Sequence, residues 1–401
     1  LLSLLSAVLA MKTKENAFTL PVAITIYEML FFHGTLRRRS LNLAPFILSM
    51  LIIPFSLTGI DRPVVEILGG MEHASRGYEN MARSDYLFAQ FRVVVTYIRL
   101  MLLPLNQNID YDYIVRPFFT GQVLLSVAFL TSILGFALYL LWYSRYSPAI
   151  RPVAFGIFWF FVTLSVESSV IPLPMVINEY RMYLPSAGVF LFLTTGVFLL
   201  TERLRKWHLQ AAVVGFLVLV TITFSYATFR RNAVWTSKVG QWEDVAIKSP
   251  HKVSVYNNLG NAYMSQGSID KAIASYQVAL KMKPAYTEAL NNMGKALWSK
   301  GMTDKSIKFL QAALMLEPSN TSVHYSLGIA FMSKGWTDKA IDQYLLALAL
   351  IPDFADAYYC LAVAYLKKGL TNLARRNLEA TLNINPDFSK ARALIHSIEN
   401  N

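Results

Sequence analysis

Cysteine is almost missing: Cys360 is the only one in 401 residues, so neither an intrachain disulfide nor a thiolate metal cluster can form. Charge is scarce as well. A 15% charged share against 54% hydrophobic is too apolar for one soluble globule, and it equally excludes a disordered chain. The six histidines are scattered without metal-ligand spacing, and HExxH, GxSxG, Walker A and dinucleotide-binding glycine patterns are all lacking. Zinc, serine-hydrolase and ATPase chemistries lose their footing, and no metal site is expected. An initiator methionine is lacking too: the chain opens at Leu1 inside the apolar run LLSLLSAVLA, with no basic flank or cleavage pattern. That beginning reads as the C-terminal part of a longer protein.

What is present divides in two. The 37 basic and 25 acidic residues leave a net charge of +12. Beside long apolar runs such an excess marks the cytoplasmic ends of membrane helices rather than a nucleic-acid footprint, so no nucleic-acid partner is expected. Residues 1–252 carry 22 basic and 14 acidic side chains in short clusters, while 253–401 carry 15 and 11 spread evenly. A membrane span needs about 20 mostly apolar residues. Candidates are a first helix ending at Met11, then 17–32, 43–59, 118–143, 152–171, 184–201 and 209–229.

Strict alternation of these spans puts Arg37 to Arg39, Arg145 with Arg151, and Arg203, Arg205 and Lys206 on one side, which the positive-inside rule makes cytoplasmic. The opposite side receives 12–16, 60–117, 170–183 and everything after Phe229. Within 60–117 the run FAQFRVVVTYIRLMLLPLNQNIDYDY has helical apolar spacing with Arg92 and Arg99 on one face, and reads as an amphipathic helix in the outer interface. Glu28 and Glu167 fall in or near apolar spans, where an ionisable group is costly; a neutral, hydrogen-bonded structural carboxyl is the simple reading.

The second half repeats with a period of 34. Pro250, Pro284, Pro318, Pro352 and Pro386 keep it; so do Gly260, Gly294, Gly328 and Ala362, and Gly267, Gly301, Gly335 and Gly369. This is the period of tetratricopeptide repeats, paired helices that stack into a solenoid with a concave groove. Four units fit, 253–286, 287–320, 321–354 and 355–388. They are followed by a capping helix within 389–401, with Ala391, Leu394, Ile395 and Ile398 on one face. The fold class is therefore all-α: a polytopic helix bundle over 1–229, a linker over 230–252, and the repeat solenoid. Asn257, Asn258, Asn261, Asn291 and Asn292 lie on first helices, where amides can grip a peptide backbone without reading its side chains. Solvation of an exposed helix face explains them as well. Tyr325 and Tyr359 stand in the later units as contact or packing residues.

At the external ends of the spans gather Lys14 with Glu15, Arg92 with Arg99, Asp110 with Asp112, and Glu179 with Arg181 and Tyr183. Interfacial anchoring accounts for each singly. Their gathering on one side points instead to a polar rim able to hold the phosphate of a lipid carrier, arginine supplying a fork of donors.

The segments KTKENAFTLP, YIRLMLLPLNQNIDYDY and NEYRMYLPSAG, then RRNAVWTS and the repeats, resemble the C-terminal part of GT-C type membrane glycosyltransferases related to protein O-mannosyltransferases, in the version that carries tetratricopeptide repeats. The resemblance implies transfer of a sugar from a polyprenyl-phosphate carrier to a protein hydroxyl on the extracytoplasmic side. It makes Arg99 and Arg181 candidates for the carrier phosphate, and Lys14, Glu15 and Glu179 candidates for shaping the pocket. Asn258 and Asn292 match an asparagine ladder that a repeat-bearing sugar transferase family presents to acceptor polypeptide, from which Ser326 and Cys360 depart. It also implies an acidic residue, acting as catalytic base or metal partner, in a first external loop upstream of residue 1, so this stretch alone is expected to be inactive, and its likeness to bacterial members implies a bacterial inner membrane with periplasmic repeats. The competing expectation is a non-enzymatic membrane scaffold assembling an envelope complex; a transporter would want broken helices, for which only Pro21 and Pro54 offer themselves.

Overall fold

The computed structural model describes residues 2–13, 15–32, 34–52, 83–113, 120–165, 168, 176–204 and 207–399. Lys14, Glu167, Arg205, Lys206 and the stretches 53–82 and 169–175 lie outside the described residues. The chain divides into two compact units, Leu1–Arg231 and Asn232–Asn401, both helical.

The first unit contains α1 (Leu2–Thr13), α2 (Leu20–Phe31), α3 (Leu36–Ser49), α4 (Arg83–Leu102), α5 (Gly121–Tyr143), α6 (Arg151–Ser165), α7 (Tyr183–Leu204) and α8 (Trp207–Trp235). Four segments are long and apolar enough to cross a membrane, Gly121–Tyr143, Pro148–Ser165, Glu179–Arg203 and Trp207–Trp235, and Ala17–Phe31 is a shorter apolar one. The basic residues Arg37 to Arg39 follow the second apolar segment. They form the first turn of α3, because arginine favours helix and no breaker intervenes before Pro45. Arg39 reaches back to Glu28 of α2, with Nε 3.8 Å from Oε1, and also donates to the Glu28 carbonyl. Glu28 thus has a cationic partner.

Packing in this unit is tightest between α6 and α7. A Cβ on Gly156 would fall within 3.0 Å of the Gly188 carbonyl, and one on Gly188 within 3.0 Å of the Gly156 carbonyl, so the two backbones touch where glycine alone allows it. Trp159 Nε1 donates to the Leu184 carbonyl at 2.9 Å, and Leu199 packs beside Ile150 and Val153. These contacts make the pair antiparallel. Arg151 and Arg203 therefore share one end, which Arg145 joins through the short turn from α5, and Glu179 lies at the other. Helix α4 does more than lie in an interface: Tyr86, Val93 and Tyr97 are fully buried in a cluster with Leu130, Phe160 and Leu164.

The second unit begins earlier than the repeat period announces. The stretch read as a linker holds the end of α8 and a further helix, α9 (Lys238–Lys248), whose Val245 is fully buried. The repeats follow as α10 (Val253–Ser265) with α11 (Ile269–Met282), α12 (Thr287–Ser299) with α13 (Thr303–Leu316), α14 (Thr321–Ser333) with α15 (Thr337–Leu350), and α16 (Ala355–Lys367) with α17 (Thr371–Ile384); α18 (Ser389–Glu399) closes the stack. The two glycine series serve different ends. Gly260 and Gly328 lie against the rings of Tyr276 and Tyr344, where a Cβ would clash. Gly267, Gly301, Gly335 and Gly369 have open space around them but φ between 75° and 80°, the left-handed turn that ends each first helix. Asp270 with Lys300, Asp304 with Lys334 and Asp338 with Lys368 form ion pairs 30 residues apart, a ladder that repeats the period on the surface.

Candidate functional site

The polar end of the first unit is assembled from three pieces: α4, the irregular segment 103–113 that follows it, and the approach to α7 at 176–182. Pro104 cannot continue the α4 hydrogen-bond ladder, and Asn106 takes a left-handed φ of 58°, so the chain turns back toward the bundle. Asn178 caps the short helical turn Glu179–Met182 by accepting from Tyr180 N.

Glu179 joins the pieces. Its Oε1 accepts from the Asn108 backbone N–H and from the Tyr111 hydroxyl, both at 2.6 Å. Burial first, and then this carboxylate, push the Tyr111 hydroxyl well above the usual tyrosine range. From the other side α4 holds the same approach: Gln90 Nε2 donates to the Val176 carbonyl at 3.1 Å, and Tyr97 accepts from Asn178 N at 3.0 Å. Arg181 Nη1 reaches the same Val176 carbonyl at 3.3 Å and the residue is only 5% exposed. Arg99 is exposed and near enough to Tyr111 to act on its charge, and the Arg92 guanidinium lies 5.2 Å over the Tyr113 ring.

The sequence-derived candidates therefore separate. Arg92, Arg99 and Glu179 come together around Tyr111 and Tyr113. Arg181 belongs to the buried side of the same assembly, so of the two arginines matched to a carrier phosphate only Arg99 presents its guanidinium outward. Asp110 is buried and Asp112 exposed, two residues apart in an irregular segment that turns them different ways. Tyr183 is 87% exposed at the start of α7 and takes no part in the assembly. Glu15 begins a short 3-10 helix, Glu15–Thr19. Sequence reasoning missed Gln90, Tyr97, Asn108 and Tyr111. The signal available was a glutamine and two tyrosines on the apolar face of a helix or just beyond it, where a buried polar atom needs a partner. Among the described residues no group of His, Cys, Asp and Glu is gathered to hold a metal ion.

On the repeats, Asn257 and Asn291 are 2% and 7% exposed and tie first helices together: Asn292 Nδ2 donates to Asn257 Oδ1 at 3.0 Å, and Asn291 Nδ2 to Ser322 Oγ at 3.2 Å. Asn261 is exposed and accepts from the Tyr276 hydroxyl at 2.7 Å, and Asn258 is half-buried. Tyr325 packs between Tyr344, Phe354 and Cys360, and Tyr359 on Phe388, and both stay half-buried.

A family model described as TPR repeat matches residues 260–301 and 330–369, and one described as tetratricopeptide repeat matches 287–320. The chain is similar to human protein O-mannosyl-transferase TMTC1, 30% identical over 115 residues, which is 29% of this chain and 13% of that protein. It is likewise similar to mouse protein O-mannosyl-transferase TMTC2, 32% identical over 108 residues, 26% of this chain and 12% of that protein. The matched stretch thus spans 12 to 13% of the length of these curated relatives. Among solved structures, a crystal structure of MamA is 28% identical, covering 38% of this chain and 89% of that chain with a TM-score of 0.34. A TPR protein of Thermus thermophilus is 20% identical, covering 45% of this chain and 95% of that one with a TM-score of 0.37. The repeat matches cover 260–320 and 330–369, and they follow four helices of membrane-spanning length in one chain.

Proposed function

We propose that this protein belongs to the machinery of protein O-glycosylation at a membrane: it takes a sugar from a polyprenyl-phosphate carrier for transfer to a Ser or Thr hydroxyl, with the repeats recruiting the acceptor polypeptide. The observation that carries the reading is the Glu179 assembly, which gathers polar groups at one end of an apolar helix bundle, beside an exposed cation, Arg99, in the last turn of α4. Similarity to protein O-mannosyl-transferases supports it.

In this scheme the hydroxyl oxygen attacks the anomeric carbon, the bond from that carbon to the phosphate oxygen breaks, and the proton passes to a carboxylate outside the assembly described above. Arg99, with Arg92 behind it, stabilises the charge that collects on the departing phosphate. Glu179 and Arg181 act as positioning residues that hold segment 103–113 and the start of α7 around it. Because Arg145, Arg151 and Arg203 lie at the opposite end, the positive-inside rule puts the rim, and with it the chain after α8, on the extracytoplasmic side. Likeness of 178–186 to bacterial members favours a bacterial inner membrane; the curated relatives are animal proteins, and the orientation argument is the same for either membrane.

The test is retention of radiolabelled polyprenyl-phosphate mannose by the chain in lipid nanodiscs. Wild-type protein retains it and Arg99→Ala loses most of it, whereas Lys300→Ala on the repeats changes nothing. Equal retention by wild type and Arg99→Ala, or none by either, turns the reading toward a membrane-anchored scaffold.

A further inference from the structure

The turns that join first to second helices, 264–272, 298–306, 332–340 and 366–374, lie in register along one edge of the repeat stack. Seven lysines and three aspartates fall in them, a net charge of +4. The ion-pair ladder uses up the aspartates: Asp270, Asp304 and Asp338 hold Lys300, Lys334 and Lys368, while Lys271, Lys305 and Lys339 stand exposed outside it. At the opposite edge the turns 281–289, 315–323, 349–357 and 383–391 carry three lysines against five carboxylates, a net charge of −2. The two edges differ in sign.

Apolar side chains stand out along the basic edge. Met302, Trp336 and Leu370 share one repeat position, directly after the turn glycine, and all three are exposed. Trp298, in the last turn of α12, is exposed beside them. Both tryptophans keep their polar contacts within the stack: Trp298 Nε1 donates to Ser333 Oγ at 2.7 Å, and the Lys339 ammonium lies 4.5 Å from the Trp336 ring centroid. Exposed tryptophan with lysine beside it is the composition of a membrane–water interface, where the ring sits among headgroups and the long lysine stem carries its charge outward. The opposite edge exposes Met315 and Ile351, but it has no tryptophan and the wrong sign for an anionic surface.

The chain also enters the repeat unit at the basic edge. Helix α8, of membrane-spanning length, ends at Trp235, itself exposed, and only Thr236 and Ser237 separate it from α9. Lys238, where α9 starts, is in register with Ala272 near the start of α11, so the connection arrives where the second helices begin. A connection this short keeps that edge at high effective concentration near lipid, and insertion of a few side chains is then enough to hold it there.

We propose that the edge formed by the four glycine turns seats on the lipid surface, with Trp298, Met302 and Trp336 entering the headgroup region and Lys271, Lys305 and Lys339 meeting anionic headgroups. The inference gives the repeats a lipid contact in addition to any polypeptide they recruit, and it does not depend on that recruitment.

The experiment uses the full chain carrying Cys360→Ser, with an environment-sensitive fluorophore on the single cysteine supplied by Met302→Cys or, at the opposite edge, by Met315→Cys. The chain is placed in phosphatidylcholine nanodiscs with or without phosphatidylglycerol. Lipid bearing a nitroxide at headgroup level is expected to quench the label at 302 by about half when phosphatidylglycerol is present, and to leave the label at 315 nearly untouched. Lys305→Glu combined with Lys339→Glu, both exposed positions, removes most of the quenching at 302 while circular dichroism shows the helices intact. No quenching at 302, equal quenching at both positions, or quenching that survives the two lysine changes overturns the inference. A label at 302 that is shielded from water yet untouched by the nitroxide also overturns it, because a protein partner then covers the edge.

Discussion

The Tyr111 hydroxyl donates to Glu179 Oε1 at 2.6 Å across 68 residues of sequence, and the Asn108 backbone N–H shares the same oxygen. One carboxylate oxygen thus fastens an irregular segment to the start of a membrane-length helix. Neither Tyr111 nor Asn108 is an evident functional residue by type. What makes them so is that no regular secondary structure holds segment 103–113 in place, and Glu179 does it instead.

Tyr111→Phe removes one of the two hydrogen bonds by which Glu179 Oε1 holds that segment. A hydrogen bond to a charged group is worth about 1.5–3 kcal/mol, so the variant is expected to lower the thermal transition of the detergent-solubilised chain and to speed proteolysis within 103–113. Glu179→Ala, which removes both bonds, is expected to do more. Unchanged proteolysis in either variant contradicts the fastening role.

The α6 and α7 contact has an internal control. Gly188→Ala drives a methyl group into the Gly156 carbonyl, while Gly196→Ala, further along the same α7, places one where nothing lies within 4 Å. Overpacking costs about 1–3 kcal/mol, and here backbone atoms stand in the way, so the upper end applies. Thermal stability in detergent should fall for the first and hold for the second.

In the repeats the same comparison separates a packing glycine from a turn glycine. Gly328→Ala meets the Tyr344 ring, and adding Tyr344→Leu is expected to restore most of the loss, because the fourth unit already carries Ala362 beside Leu378 in one cluster. Gly335→Ala has free space but a φ of 76°, where an L residue costs about 1–2 kcal/mol, and no change at Tyr344 relieves it. Denaturant unfolding followed by circular dichroism distinguishes the two patterns.

Alkaline pH is expected to unfold the repeats abruptly. Burial raises the hydroxyl pKa of Tyr276, Tyr325 and Tyr344, and a bond to Glu243 pushes Tyr263 up to about 12. Unfolded tyrosine ionises near about 10, so above that pH the unfolded chain has lost protons that the folded chain keeps, and stability falls as pH rises. Absorbance of the tyrosinate should therefore lag behind that of a free-tyrosine mixture through about pH 10 to 11, then jump together with loss of helix signal. A smooth titration at the free value, with helix intact, contradicts this.

The repeat half was open to sequence reading because its information is periodic: Pro250 to Pro386 and the two glycine series each recur at 34, and α10 to α17 begin where that period puts them. Even there, α9 escaped notice, since Lys238 and Trp242 stand where later units carry Ala272 and Tyr276. The rim was half legible. Glu179 and Arg99 stood out as charges next to apolar runs, but which of them meet depended on contacts 68 to 86 residues apart through irregular segments, where no period carries register. Gly156 and Gly188 were silent for a similar reason, because a glycine in an apolar run looks the same whether its helix face is packed or open. Burial of Arg181 beneath Val176 could be read only from the folded chain.

The most direct measurement is photocrosslinking of a diazirine-bearing polyprenyl phosphate to the full chain in nanodiscs, with the labelled peptides identified by mass spectrometry. Label is expected within 83–113 and at the start of α7, and Arg99→Ala should deplete it. Label confined to α8 or the repeats, or undiminished by Arg99→Ala, would contradict a carrier-phosphate site at the Glu179 rim.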